Sequence, residues 1–173
     1  DRAALETALA DSAVASASKH AAREYDADRD CGVYRLQFAL SREQLQFAQQ
    51  RMKREGVDDK VELVFEDYRD TKGTFDGIAS VEMIEAVGEA HWPVYFRTLF
   101  DRLKPGGSAV IQGITIAEVN FDAYKNGVDF IQRYIFPGGM LLTKDIIREQ
   151  TRKAGLIFEK MECFGLSYAR TLK

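Results

Sequence analysis

The feature that most limits how this chain can fold is an alternation: short apolar runs of strand-forming residues are separated by stretches with helical spacing. That order is the signature of an α/β fold on a largely parallel sheet, because neighbouring parallel strands need a crossover long enough to hold a helix. Residues 33–39 (VYRLQFA) read as the first strand. Ser41 then caps a helix running to Lys53 and ending at Gly56, and Ser41 with Gln44 has the spacing of a capping box. Residues 61–65 read as a short apolar strand, 68–74 as a polar connection, and 75–81 (FDGIASV) as a third strand that enters a turn. Helical spacing returns over 92–103 and stops at Lys104-Pro105-Gly106-Gly107, after which 108–116 (SAVIQGITI) is the most strand-like segment. The aromatic-rich stretch 121–142 is too long for an ordinary connection, so an insertion is expected over 118–142. Thr143 opens another helix that ends at Gly155, and the alternating character of 156–163 reads as a last strand.

A chain of 173 residues, 46% of them hydrophobic, can bury a core without staples, and residues 1–173 are expected to form a single domain. A net charge of -3 gives no basic excess that would point to nucleic acid. The longest apolar stretches, 109–111 and 140–142, fall far short of a bilayer span, so a lipid substrate would be met at a surface. Cys31 and Cys163 form no close pair, which suggests neither a disulfide framework nor a metal site, and a cytoplasmic location is expected. Residues 1–22 are Ala-rich with interspersed acids and do not read as a secretory signal; a start without Met reads as a chain processed or cut from something longer.

From Ser41 onward the segments LSREQLQFAQQR, EDYRD, FDGIASVEMIEAVGE, WPVYFRTLFDRLKPGG, QGITI, VDFIQRYIFPGGML and SYARTL follow in order. Together they resemble the cyclopropane fatty acid and mycolic acid synthase family of S-adenosylmethionine-dependent methyltransferases, over about Ser41 to Leu172. The resemblance implies a Rossmann-like class I methyltransferase fold, a mostly parallel sheet flanked by helices with cofactor at the carboxyl ends of the strands. It also implies transfer of a methyl group from the sulfonium to a cis double bond of an acyl chain in a phospholipid or related lipid, met at a membrane surface. The resulting carbocation loses a proton as the ring closes. Members hold a bicarbonate ion as base through a Glu, a backbone group of an Ile, a Tyr and often a His and a Cys. By motif these are Glu85, Ile114 and Tyr168, while the His position holds Gln112 and the Cys has no counterpart. Ala86 stands where the family often has a second His. A neutral amide at Gln112 can donate to an anion but cannot titrate near neutrality. On the cofactor side, Gln44 matches a position near the ribose, and Asp67 with Tyr68 matches the turn that flanks adenine.

The glycine loop of such a fold is degenerate or missing. Residues 5–15 (LETALADSAVA) can be laid over the family's strand and loop, which puts Ala8, Ala10 and Ser12 on the glycines and Asp11 on an aromatic. Each added Cβ would crowd the methionine moiety or force a strained φ, at about 1–3 kcal/mol apiece. Gln37 and Ala39 depart from the family's Gly and Thr, and 26–30 adds an acidic insertion, so residues 1–40 are a disturbed cofactor-loop region. A degenerate site, a lost or replaced segment and an altered sequence all account for this, with a truncated or disturbed copy favoured over a selected pseudoenzyme. Relatives also continue past Leu172 into a helix and a final antiparallel strand, so the sheet is expected to lack that strand, and a second copy or partner chain could complete it.

Blander readings stand beside these. Glu85 is also a normal helix-start residue complementing the dipole, and Tyr168 alone would be packing. Gln112 in an apolar strand needs a buried partner in any case. His20 and His91 are isolated and read as surface or structural. Phe121, Tyr124, Phe130, Tyr134 and Phe136 read as the wall of an acyl tunnel or as core, with Pro137-Gly138-Gly139 as the turn positioning them. Three functions remain open: a lipid methyltransferase of the cyclopropane synthase type, a non-catalytic member binding lipid or a partner, and a small-molecule methyltransferase.

Overall fold

A computed structural model describes residues 34–37, 42–128, 130–135 and 137–165. Strand β1 (Tyr34–Gln37) leads through helix α1 (Arg42–Glu55) to β2 (Val61–Val64), and the strands pair in parallel with Tyr34 opposite Val61. Glu43 in the first turn of α1 and Lys53 and Arg54 in its last turn complement the helix dipole. A second unit repeats the pattern: β3 (Phe75–Val81) pairs in parallel with β4 (Leu103–Gln112). Its crossover carries the short helix α2 (Ile84–Val87), a 3-10 turn (Glu89–His91) and helix α3 (Trp92–Arg102). Among the described residues the strands therefore form two parallel pairs, each spanned by helix, as the alternation in the sequence predicts.

The core is built on α3. Trp92, Tyr95, Phe96 and Leu99 recur at the spacing that puts them on one helix face, and all four are buried. They pack with Ile84, Leu142 and Ala154, and α3 lies against α5 (Lys144–Ala154). Tyr95 is fully buried and donates its hydroxyl to Ser80 Oγ at 2.6 Å, which ties the helix to β3. Burial holds that phenol well above the usual tyrosine range, so it remains a donor.

Helix α5 shows how local chemistry sets an element's limits. Thr143 Oγ1 accepts from Ile146 N at 3.2 Å at the start, and Gly155 closes the end in a left-handed conformation, φ +91°, closed to most side chains. Thr143→Ala is expected to destabilise the fold by ~1 kcal/mol, read as a lower denaturation midpoint.

Two expected strands are corrected. The strand placed at 108–116 instead spans Leu103–Gln112, because Lys104-Pro105-Gly106-Gly107 is a bulge within it: pairing jumps from Phe75 with Leu103 to Gly77 with Ser108. Lys104 reaches back over the bulge to Asp76 at 2.8 Å. Past Gln112 only an isolated bridge between Thr115 and Leu142 remains. The strand expected at 156–163 is absent: the segment is irregular and makes no ladder, since a strand needs an edge to pair with and no described one meets it.

The expected insertion contains helix α4 (Glu118–Asn126) and a π-helical turn (Ile131–Ile135). Its end is stitched down by three consecutive residues: Met140 N donates to Glu85 O at 2.8 Å, Leu141 N to the Tyr124 hydroxyl at 3.2 Å, and Ile116 N donates to Leu142 O at 3.0 Å. The aromatics divide. Phe121 packs against the core, whereas the rings of Phe130 and Tyr134 meet at a tilt of 43°, 5.2 Å apart, with 66% and 62% of their surface exposed. Phe136 lies outside the described residues. No described helix is long and apolar enough to cross a membrane.

Candidate active site at the carboxyl ends of the strands

Parallel strands bring their carboxyl ends to one edge of a sheet, and the described candidate residues follow such ends, Asp67 and Tyr68 after β2 in one pair and Glu85, Gln112 and Ile114 at β3 and β4 in the other. Glu85 sits in the first turn of α2, just past β3, while Gln112 ends β4 and Ile114 follows it. The structure joins Glu85 to Ile114, while Gln112, two residues before Ile114, turns its carboxamide to Glu82. Glu85 Oε1 accepts from the backbone N–H of Ile114 at 2.5 Å, joining the two strand ends. Glu85 Oε2 is buried and has no hydrogen-bond partner. Burial raises the Glu85 pKa above the ordinary carboxyl value, the Ile114 N–H and the residue's own backbone N–H oppose that rise, and the charge of Glu82 adds to it.

The close approach of the strand ends depends on Gly113. A Cβ there would lie 2.9 Å from Ile84 Cγ2 and 3.4 Å from Glu85 Oε1, and Ile84 is itself 1% exposed with little room to move. Gly113→Ala is therefore expected to displace Glu85 and to cost about 1–3 kcal/mol by overpacking, read in a denaturant melt.

Gln112 has the partner its setting requires, although the pair is partly exposed rather than buried. Its Nε2 donates to Glu82 Oε1 at 3.3 Å, and Glu82 N donates to Gln112 O at 2.8 Å. Glu82 takes a left-handed backbone, φ +48°, which costs a non-glycine residue roughly 1–2 kcal/mol. Sequence reasoning did not single out Glu82. The signal available was the pair of carboxylates in SVEMIE, three residues apart at a strand end.

Asp67 and Tyr68 follow β2 and open a 3-10 turn (Tyr68–Asp70). Asp67 is gripped by Arg69: Oδ1 accepts from the backbone N at 2.9 Å and from Nε at 2.8 Å, and Oδ2 from Nη2 at 2.6 Å. The side-chain hydrogen bond from Arg69 chiefly brings the Asp67 pKa down to about 2. A carboxylate has about four acceptor sites, so Oδ2 keeps one for an incoming donor. The Tyr68 ring is half-buried and meets Tyr95 edge-on at 5.8 Å. Only the backbone of Gln44, in the first turn of α1, is described, and Ala8, Ala10, Ser12, His20, Cys31 and Tyr168 lie outside the described residues. His91, at the end of the Glu89–His91 turn, is exposed, in keeping with a surface or structural place.

Chemically, this edge offers a buried carboxylate with a raised pKa, a carboxamide and a backbone N–H near the tips of β3 and β4. Beside β2 it offers an ionised acceptor next to an aromatic face.

Comparison with solved structures places the fold among the class I, Rossmann-like methyltransferases. A mycolic acid cyclopropane synthase, CmaA1, complexed with SAH and CTAB, superposes with a TM-score of 0.69 at 18% identity over 82% of this chain and 60% of that one. The cyclopropane synthase MmaA2 from Mycobacterium tuberculosis gives a TM-score of 0.60 at 18% identity over the same shares. The family described as mycolic acid cyclopropane synthetase matches residues 15–173, and the chain belongs to that family.

Curated relatives include a probable fatty acid methyltransferase from Pseudomonas putida, 40% identical over 90% of this chain and 39% of its own length. The tuberculostearic acid methyltransferase UfaA1 of Mycobacterium tuberculosis is 40% identical over 82% of this chain and 34% of its own. The cyclopropane-fatty-acyl-phospholipid synthase of Escherichia coli K12 is 35% identical over 77% and 32%. The chain thus spans between 32% and 39% of the length of these relatives.

Proposed function

We propose that this chain carries the catalytic edge of an S-adenosylmethionine-dependent lipid methyltransferase, which adds a one-carbon unit to a cis double bond of an acyl chain. The observation that carries the reading is the bond from Ile114 N to Glu85 across the ends of β3 and β4, with one buried Glu85 oxygen unpartnered and Gln112 held nearby on Glu82. The family membership and the fatty acid methyltransferases among the relatives support the acceptor class.

The residues past β2 fit the adenosyl part of the cofactor. Asp67 keeps one acceptor site for the adenine amino group, and Tyr68 offers a ring face. When bound, the cofactor supplies an electrophilic methyl group on a sulfonium. Methyl addition to the double bond would leave positive charge on the acceptor chain. A proton must then leave, and Glu85 Oε2 is the acceptor atom on hand. That orphaned oxygen also fits the hydroxyl of a bicarbonate ion, which Glu85 and Ile114, with Tyr168 by motif, would hold as an auxiliary base. Water has to be kept from the cation, and the insertion pinned over Glu85 serves that end. The setting consistent with this reading is a cytoplasmic protein working at a membrane surface, with a second copy or partner chain extending the sheet.

The second reading, a member that binds lipid or a partner without catalysis, is favoured by Ala8, Ala10 and Ser12 in place of loop glycines. Unsaturated phospholipid vesicles and methyl-labelled S-adenosylmethionine decide between them. Label in the acyl chains, with a mass gain of one methylene or methyl unit, is the expected result. No label, and no heat on titrating the cofactor to millimolar concentration, would favour the second reading. Label only in water-soluble acceptors would point to a small-molecule methyltransferase.

A further inference from the structure

Among the described residues Glu82 is the single non-glycine with a left-handed backbone, and such conformations persist where the surroundings over-determine them, often at functional sites. Two hydrogen bonds tie it to Gln112: the backbone N–H of Glu82 donates to the Gln112 carbonyl at 2.8 Å, and its Oε1 accepts from Gln112 Nε2 at 3.3 Å. Glu82 therefore holds Gln112 by main chain and by carboxamide at once, at the point where the β3–β4 ladder ends.

A carboxamide has two unlike edges and, without a partner to choose between them, presents either. A carboxylate only accepts, so it takes the NH2 edge and leaves the carbonyl oxygen turned away from Glu82. A fixed carbonyl dipole stabilises positive charge developing in front of it, whereas an NH2 group opposes it. We propose that Glu82 is a positioning residue that holds Gln112 in the flip offering its carbonyl oxygen to the cationic centre on the acceptor chain. The proposal rests on the methyl-transfer reading above and gives Gln112 the role of an acceptor facing a cation rather than a donor facing an anion.

The test compares the full chain with Glu82→Gly and Glu82→Gln. Glycine tolerates the left-handed backbone, so Glu82→Gly is expected to melt no lower than the parent. Its kcat is nevertheless expected to fall on the order of 10-fold or more, with KM for S-adenosylmethionine unchanged, because the carboxamide loses its orientation. Glu82→Gln keeps the size but can donate as well as accept, so it no longer chooses the carboxamide edge and is expected to recover only part of the rate. An independent readout is the side-chain NH2 signal of Gln112 in heteronuclear NMR. Two well-separated, protected protons are expected in the parent, collapsing to free-amide values in Glu82→Gly. An active parent whose Gln112 signals and kcat do not change in Glu82→Gly overturns the positioning role and leaves the methyltransferase reading intact. A parent that transfers no methyl group, although its Gln112 signals respond, removes that reading and the catalytic meaning of the contact with it.

Discussion

Glu85→Gln is expected to lower methyl transfer by about 10²- to 10⁴-fold, the range for removal of a positioned proton acceptor, while making the protein more stable at neutral pH. The two effects share one cause. The variant keeps an oxygen to accept from Ile114 N and replaces the buried, unpartnered Oε2 with a neutral group. In the parent, burial raises the folded-state pKa of Glu85 above the 4.5 of a free glutamate. Between those two values the folded state binds more protons than the unfolded one, so stability falls as pH rises through that window. The penalty is absent below the unfolded value and complete above the raised one. Glu85→Gln should therefore flatten that part of the stability profile. Denaturant midpoints at acidic and neutral pH, beside the labelled-methyl assay, check both halves. A variant that lost activity and also became less stable at neutral pH would mean that the carboxylate is structural.

Tyr95→Ala is expected to be the most damaging single change to the fold, at about 3–5 kcal/mol. Tyr95 has no exposed surface, sits against Tyr68 and Phe96 edge-on at 5.8 Å and 5.3 Å, and holds Ser80 on β3. Such a loss is a large part of the roughly 5–15 kcal/mol that keeps a domain folded. Tyr95→Phe separates the contributions: it preserves the packing and leaves the Ser80 hydroxyl without its donor, at about 1–3 kcal/mol. Chemical denaturation of both variants measures the difference, and equal losses would show that the hydrogen bond, not the ring, dominates.

Where local chemistry decides, the sequence was readable. Thr143 and Gly155 mark the two ends of α5, and the 92, 95, 96, 99 spacing marks the buried face of α3. Where pairing across distance decides, it was not. The proline and glycines of 104–107 carry every local sign of an end point, yet the register with β3 passes across them as a bulge. Residues 156–163 alternate like a strand, but alternation does not supply an edge to pair with. At the site, motif resemblance points to Glu85, Gln112 and Ile114, and the structure joins Glu85 to Ile114 while Gln112 pairs with Glu82. Glu82 went unnoticed because a glutamate gives no advance sign of a left-handed backbone, and Arg69 because its grip on Asp67 appears only once the turn is formed.

The stitching of Met140, Leu141 and Leu142 has a consequence for the segment that precedes it. Because Thr115 and Leu142 form a bridge and Ile116 N meets Leu142 O, residues 117–141 make up a loop already closed at its base. Closing such a loop costs free energy that grows only with the logarithm of its length. Between Phe121 and Met140, which pack against the core, the segment can therefore be lengthened, shortened or exchanged with little effect on the sheet beneath. It behaves as a replaceable cassette, changed between its fixed ends while Glu85, Gln112 and Ile114 stay where they are.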